Sequence, residues 1–284
     1  MSRSAAMKQT KITSILAIQG AAKVMGHDPD ARLEGAVEGY WTFEVEMPPV
    51  KLRVIPDGRI DLIFDLTSRE SFVAGPNLKP FDVEHLRPVH LLGATLSPEA
   101  AGAFLGAEIG SRGTGWRPLV SAIGPLAFEL SDRIAAARGD KAKIAALETI
   151  LLARIGGGDR RVSRALAEIK HRRGRIDVAT LGRSSGASQR NLARLFDQWV
   201  GMSPKTFARI ARVQEALRRM DENPAPSLKH LAADLGLSDQ AHMSREVKKI
   251  TGSQPNALAD LFKAQVSNLQ ALRNGGNDNG ASIQ

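Results

Sequence analysis

The chain has 284 residues, no cysteine and a formal net charge of +9, with 43% hydrophobic and 24% charged residues. Length and balance indicate a folded protein of two domains and exclude a disordered one. The missing cysteine excludes disulfides, thiolate metal sites and thiol nucleophiles, and no apolar run approaches the ~20 residues of a membrane span. The apolar stretch at 15–18 is also too short for a signal-peptide core, so the expectation is a cytoplasmic protein without a membrane partner. The charge is not evenly spread. Residues 160–265 hold 20 Lys/Arg and 10 Asp/Glu, a net +10, while the rest of the chain nets −1. Such asymmetry points to a polyanion partner for the C-terminal part.

Residues 1–35 are rich in small side chains and read as helical. Tyr40 to Glu46 and Arg53 to Ile55 read as extended segments flanking Pro48 and Pro49. Pro56-Asp57-Gly58 is a turn: proline presets φ, aspartate caps locally and glycine accepts positive φ. Arg59 to Leu66, Phe72 to Ala74 and Val89 to Thr95 follow as strand candidates. Ser97 is placed to cap a helix over Pro98 to Leu105, with proline at its first position. Two helical stretches, about Pro118–Ala137 and Lys141–Ile155, complete an α+β domain over 1–155. Gly156-Gly157-Gly158 cannot sustain a helix and reads as a linker. Val162, Ala165, Leu166 and Ile169 then follow i, i+3, i+4, i+7 spacing and open an all-α domain over 159–265. The polar residues 266–284 read as a disordered tail.

This second domain contains one helical unit twice. From Leu181 the chain reads LGRSSGASQRNLARLFDQWVGMSP and from Leu231 LAADLGLSDQAHMSREVKKITGSQP. The leucines are 50 apart; after the turn Arg194 and Arg245, Gly201 and Gly252, and Pro204 and Pro255 are 51 apart, so the second turn carries one extra residue. Short helix, tight turn and basic helix, repeated, form two helix-turn-helix modules. In the first, Asp177 to about Ser184 is the support helix, and Ser188 caps a recognition helix running to about Val200. Leu192, Leu195, Phe196 and Trp199 form its buried stripe, leaving Gln189, Arg190, Asn191 and Arg194 outward. In the second, Ser227 caps the support helix, Gly236 makes the turn, and Ser238 or Asp239 caps a recognition helix to about Ile250. Met243, Val247 and Ile250 face inward; Gln240, Ala241, Ser244, Arg245 and Lys248 face outward or toward DNA backbone.

A helix of this kind fits a major groove about 12 Å wide, where Arg pairs with guanine and Gln or Asn with adenine. Ser188, Ser238, Ser244, Lys248 and the helix N-termini suit phosphates, and His242 suits bracing or phosphate contact. Two other classes are weighed. An enzyme carrying a DNA-binding module would show a nucleophile elbow, a His-Glu-x-x-His or a phosphate loop; none is found. A nonspecific architectural protein would not need two capped, patterned recognition helices.

Leu235-Gly236-Leu237-Ser238-Asp239-Gln240-Ala241-His242-Met243-Ser244-Arg245, with Gly252 and Pro255, resembles the second-module signature of the AraC/XylS family of transcription regulators. Ser188, Arg190, Leu192, Arg194, Phe196, Gly201, Ser203 and Pro204 resemble the first. The resemblance covers about 159–262. It implies seven helices, with one over about Pro204–Met220 joining the modules, and contact with two successive major grooves about 34 Å apart. Gly182 departs from it, standing where the family usually has alanine; Met243 and Val247 stand where phenylalanine is frequent. The N-terminal half resembles the family's sensor domains through Val54 to Phe64 and Leu92 to Pro98. There Ser97-Pro98-Glu99 replaces the family's Arg-Pro-Gly. The implied protein is a sequence-specific, effector-responsive transcription regulator and not an enzyme, with no cofactor or metal. Its expected partner is double-stranded DNA; a small-molecule effector, RNA polymerase and a second copy of the chain are further candidates. Trp41, Arg53, Asp57 and Asp61 are candidates for an effector pocket. The plainer reading of Pro56 to Asp61 is a turn and the start of a strand.

Overall fold

A computed structural model describes residues 15–106, 109, 115–223 and 227–263, with backbone alone at Leu16 and Ala17. The expected tail at 266–284 and the first 14 residues lie outside the described residues. Among the described residues the N-terminal half holds nine strands: β1 (Ile15–Gln19), β2 (Lys23–His27), β3 (Val37–Val45), β4 (Val50–Val54), β5 (Ile60–Asp65), β6 (Ser71–Ala74), β7 (Phe81–His85), β8 (Val89–Leu96) and β9 (Trp116–Pro118). They form two antiparallel sheets, β1-β4-β7 and β2-β3-β8-β5-β6-β9. Helices α1 (Pro98–Leu105), α2 (Val120–Ile123), α3 (Leu126–Ala136) and α4 (Asp140–Arg154) belong to the same half.

Side-chain alternation builds three layers. Trp41, Phe43, Val45, Ile63 and Leu91 leave one face of the larger sheet and meet Val50 and Leu52 of the smaller. Tyr40, Leu62, Phe64, Leu92, Ala94 and Leu96 leave the other face and pack on Phe104, Leu130, Ile134, Leu147 and Leu151 of the helices. Both faces of β5 and β8 are therefore buried, which is why these strands read as nearly continuous apolar runs. α1 starts as expected: Ser97 Oγ accepts the Ala100 N–H at 3.4 Å.

Two expectations are corrected. Where it is described, the stretch before residue 35 is mostly extended rather than helical, with one short 3-10 turn at Ala31–Leu33. Ile18 pairs with Leu52 and Val24 with Phe43, so tertiary pairing overrides the helical bias of small residues. The helix expected over 118–137 is broken at Gly124, whose φ of 61° precedes Pro125, so α2 and α3 are separate. In addition, β7 and β9 form strands that no sequence pattern singled out. Both are short, partly exposed edge strands whose pairing is with distant residues.

The chain continues as α5 (Arg160–His171), α6 (Val178–Ser185), α7 (Gln189–Val200), α8 (Pro204–Glu222), α9 (Leu228–Asp234) and α10 (Gln240–Thr251), and is helical again over 255–263. These are seven helical segments among the described residues after 159. Val162, Ala165, Leu166 and Ile169 of α5 join one apolar cluster with the interior faces of α6 to α10. Gly182 is buried on α6 where the chain turns sharply back: its carbonyl accepts the Ala187 N–H at 3.0 Å, and a Cβ would lie 2.8 Å from the Ala187 oxygen. The equivalent turn in the second module is roomier, since Ala232 accepts from Leu237 at 2.9 Å with its methyl in place. Glycine at 182 is thus a packing requirement of this turn. Gly182→Ala is expected to lower stability by about 1–3 kcal/mol despite alanine's better helix propensity. Denaturant unfolding of the full chain measures this, and a stabilised variant would refute it.

Candidate nucleic-acid interface

The two modules are built by the same local devices. Ser188 Oγ accepts the Asn191 N–H at 3.2 Å and caps α7; Gly186 turns with φ 75°, and Gly201 stops the helix with φ 74°. In the second module Asp239 Oδ1 accepts the His242 N–H at 2.7 Å and caps α10; Gly236 turns with φ 67°, and Gly252 stops the helix with φ 79°. The extra residue of the second unit falls at the cap. Asp239 takes the capping role, while Ser238 donates to the Asp239 carboxylate at 3.1 Å and meets His242 Nδ1 at 3.1 Å. Hydrogen bonds from the His242 backbone N–H and from Ser238 hold the Asp239 carboxyl below its usual range, so this cap is an anion at a helix N-terminus.

Each recognition helix is split lengthwise. Leu192, Leu195, Phe196 and Val200 of α7 and Met243, Val247 and Ile250 of α10 are buried. On the opposite faces Gln189, Arg190, Arg194, Gln240, Ala241, Arg245 and Lys248 are exposed, and Asn191, His242 and Ser244 are half-exposed. Ser188 and Ser238 are exposed at the helix starts. Arg194 is braced along its helix, donating to Gln198 Oε1 and Asn191 Oδ1 at 3.2 Å each, and Ser244 Oγ returns to the Gln240 carbonyl at 2.9 Å. Trp199, expected in the interior stripe, is half-buried and lies against Gly102 of α1.

The basic side chains fall into two groups. Arg209, Arg218 and Arg219 of α8 are neutralised by carboxylates within the domain, while Arg212 donates to the Gly174 carbonyl at 2.8 Å and Lys205 is exposed. Arg209 makes a two-pronged pair with Glu246 at 2.7 and 2.9 Å, tying α8 to α10, while Arg218 and Arg219 share Glu215. These arginines hold the Glu215 carboxyl down at about 2. Among the described residues, Arg190, Arg194, Arg245 and Lys248 form no ion pair, so their charge faces solvent. The Arg209–Glu246 link was not singled out by sequence reading, because its partners lie 37 positions apart on different helices.

The four effector candidates are only partly brought together. Trp41 Nε1 donates to Asp61 Oδ1 at 3.3 Å, Thr95 Oγ1 donates to the same oxygen, and the indole lies across Gly93. Asp57 accepts the Arg59 N–H at 3.0 Å, and the Arg59 guanidinium pairs with Glu38 and Asp57 beside this cluster. Arg53 is elsewhere, on the smaller sheet, paired with Asp82. A cavity of about 300 Å³ lies between the larger sheet and α3, lined by Phe64, Leu66, Arg69, His90, Ile134 and Lys143 among others; none of the four candidates lines it.

Burial pushes the Asp61 carboxyl up to about 7, and the neighbouring Asp57 charge adds to the rise; hydrogen bonds from Thr95 and Trp41 and the Arg59 charge oppose it. The folded value lies above the ordinary carboxylate value, so the fold binds this proton more tightly than the unfolded chain. Its stabilising contribution is full at acid pH and is lost as pH rises through about 7. Asp61→Asn retains the acceptor and cannot ionise. It is expected to flatten the fall of Tm between about pH 4 and about pH 7. Thermal unfolding across that range checks this, and an unchanged slope would refute it.

Residues 181–260 match a family described as a helix-turn-helix domain, and residues 25–111 match a domain of unknown function, DUF6597. No curated protein matches the sequence. Several solved structures are similar. A probable AraC family transcriptional regulator from Rhodopseudomonas palustris is 24% identical, over 36% of this chain and 96% of its own, with a TM-score of 0.33. The DNA-binding domain of AdpA in complex with a target DNA is 23% identical, over 38% and 96%, with a TM-score of 0.34. ToxT from Vibrio cholerae is 11% identical, over 86% and 98%, with a TM-score of 0.41. No helix among the described residues is long and apolar enough to cross a membrane. Residues 181–260, with their doubled cap, turn and glycine stop, are a helix-turn-helix domain of the AraC type.

Proposed function

We propose that this chain is a sequence-specific regulator that places the exposed faces of α7 and α10 in two successive major grooves and answers to a small-molecule effector. The observation that carries this reading is the doubled pattern of capped helix, glycine stop and unpaired basic face, set against α8, where Arg209, Arg218 and Arg219 are spent on internal ion pairs. Gln189, Arg190, Asn191 and Arg194 on α7, and Gln240, Ala241 and Arg245 on α10, take the base edges. Ser188, Ser238, His242, Ser244 and Lys248 hold phosphates. The working division is 1–155 for the sensor, 156–158 for the linker, 159–265 for DNA binding and 266–284 for the tail. Trp41, Asp57 and Asp61, with Arg53 apart from them, serve the sensor. RNA polymerase and a second copy of the chain complete the partners. The protein acts in the cytoplasm, without cofactor, metal or catalysis.

Selection from a randomised duplex library tests the reading: the full chain is expected to enrich one bipartite sequence, and equal retention of all sequences would overturn it. On the enriched duplex, Arg190→Ala and Gln240→Ala should each cost about 1–3 kcal/mol and relax preference at single positions. Lys248→Ala should weaken all duplexes alike and reduce the salt slope of log K by about 1. Anisotropy titrations at several salt concentrations separate the two classes.

A further inference from the structure

The two recognition helices end alike, and both ends touch the N-terminal half. Gly201 stops α7 against the loop after β6: a Cβ there would lie 2.7 Å from Pro76 Cγ and 2.8 Å from Ile109 Cγ2. Gly252 stops α10 against the smaller sheet: a Cβ there would lie 3.0 Å from an Arg53 guanidinium nitrogen and 3.3 Å from Pro80 Cγ. These glycines are the matching positions of the repeat, 51 residues apart. The contact is reinforced beside each element. The Ile109 N–H donates to the Gln198 carbonyl of α7 at 2.9 Å, and a Cβ at Gly102 would stand 2.7 Å from the Trp199 ring. The joining helix is held as well. Gln214 Nε2 on α8 donates to the Pro56 carbonyl at 2.7 Å, Phe207 covers Gly58, and Ile55 is buried in the same apolar cluster as α5 to α10.

We propose that the N-terminal half is a brace for DNA reading: it fixes the separation and mutual angle of α7 and α10 and so sets the half-site spacing the chain accepts. The inference rests on the reading that both helices enter DNA. Its physics is that of a clamp gripping each helix at the end remote from its exposed start. The two sheets that supply Pro76, Arg53 and Pro80 share one apolar layer, so the two grips cannot shift independently without opening that layer. Binding a bipartite site then requires no further ordering of the two modules, and that saving appears as affinity for one spacing. Pro76, Pro80, Gly102 and Ile109 become spacing determinants although none belongs to a recognition helix.

The test uses the full chain and its enriched duplex. Three duplexes are compared: native spacing, spacing lengthened by about one base pair, about 3.4 Å, and a single half-site. Gly102→Leu wedges under Trp199, and Pro80→Trp wedges beside Gly252. Each is expected to lose about tenfold in affinity at native spacing, to discriminate against the lengthened duplex about tenfold less, and to bind the half-site within about twofold of the parent. Far-UV circular dichroism identifies folded variants. Gln214→Ala removes one hydrogen bond without a wedge and is expected to move in the same direction by a smaller step. Folded variants that keep the parent's spacing discrimination would overturn the brace, as would variants that bind the native duplex more tightly. If the parent enriches no sequence, the DNA reading itself fails, and the brace with it.

Discussion

The interior stripe of each recognition helix fixes everything outside it. Leu192, Leu195, Phe196 and Val200 of α7, and Met243, Val247 and Ile250 of α10, enter one apolar cluster shared with α5, α6, α8 and α9. Burial of such side chains stabilises by about 1.5–3 kcal/mol each. Turning either helix about its axis would bring Arg190, Arg194 or Arg245 into that cluster, and an uncompensated buried charge costs far more than the stripe gains. Presentation of a polar and basic face is therefore a consequence of the core and needs no separate device.

Charge is allocated with the same economy. Glu215 and Glu246 engage arginines of α8, converting part of the basic excess into structure. Among the described residues, Arg190, Arg194, Arg245 and Lys248 on α7 and α10 keep their charge toward solvent. The caps differ in a way that bears on approach to a polyanion. Ser188 caps α7 without charge, whereas Asp239 places a carboxylate at the start of α10, where the helix dipole favours it. The two modules are thus alike in backbone and unlike in the electrostatics of their leading ends.

What was legible in the sequence was what is local. The caps Ser97, Ser188 and Ser227, the stops Gly201 and Gly252, and the stripe spacing of α5, α7 and α10 all follow from residues within a turn or two. Whether Ser238 or Asp239 caps α10 was open, because either spacing serves; geometry chose Asp239. Long-range pairing was not legible. Strands β1 and β2 come from a segment whose small residues favour helix and whose partners lie 13 to 39 positions on. The grips on Gly201 and Gly252 join residues far apart in the chain, and no spacing announces them. The alanine-to-glycine departure at 182 was visible, but its reason, the Ala187 oxygen, needed coordinates.

Hydroxyl-radical footprinting of the full chain on its enriched duplex tests most directly whether α7 and α10 enter neighbouring grooves of one DNA face. Two protected patches centred about 10 base pairs apart, on the same side of the duplex, are the expected result. A single patch, or patches on opposite faces, would contradict it.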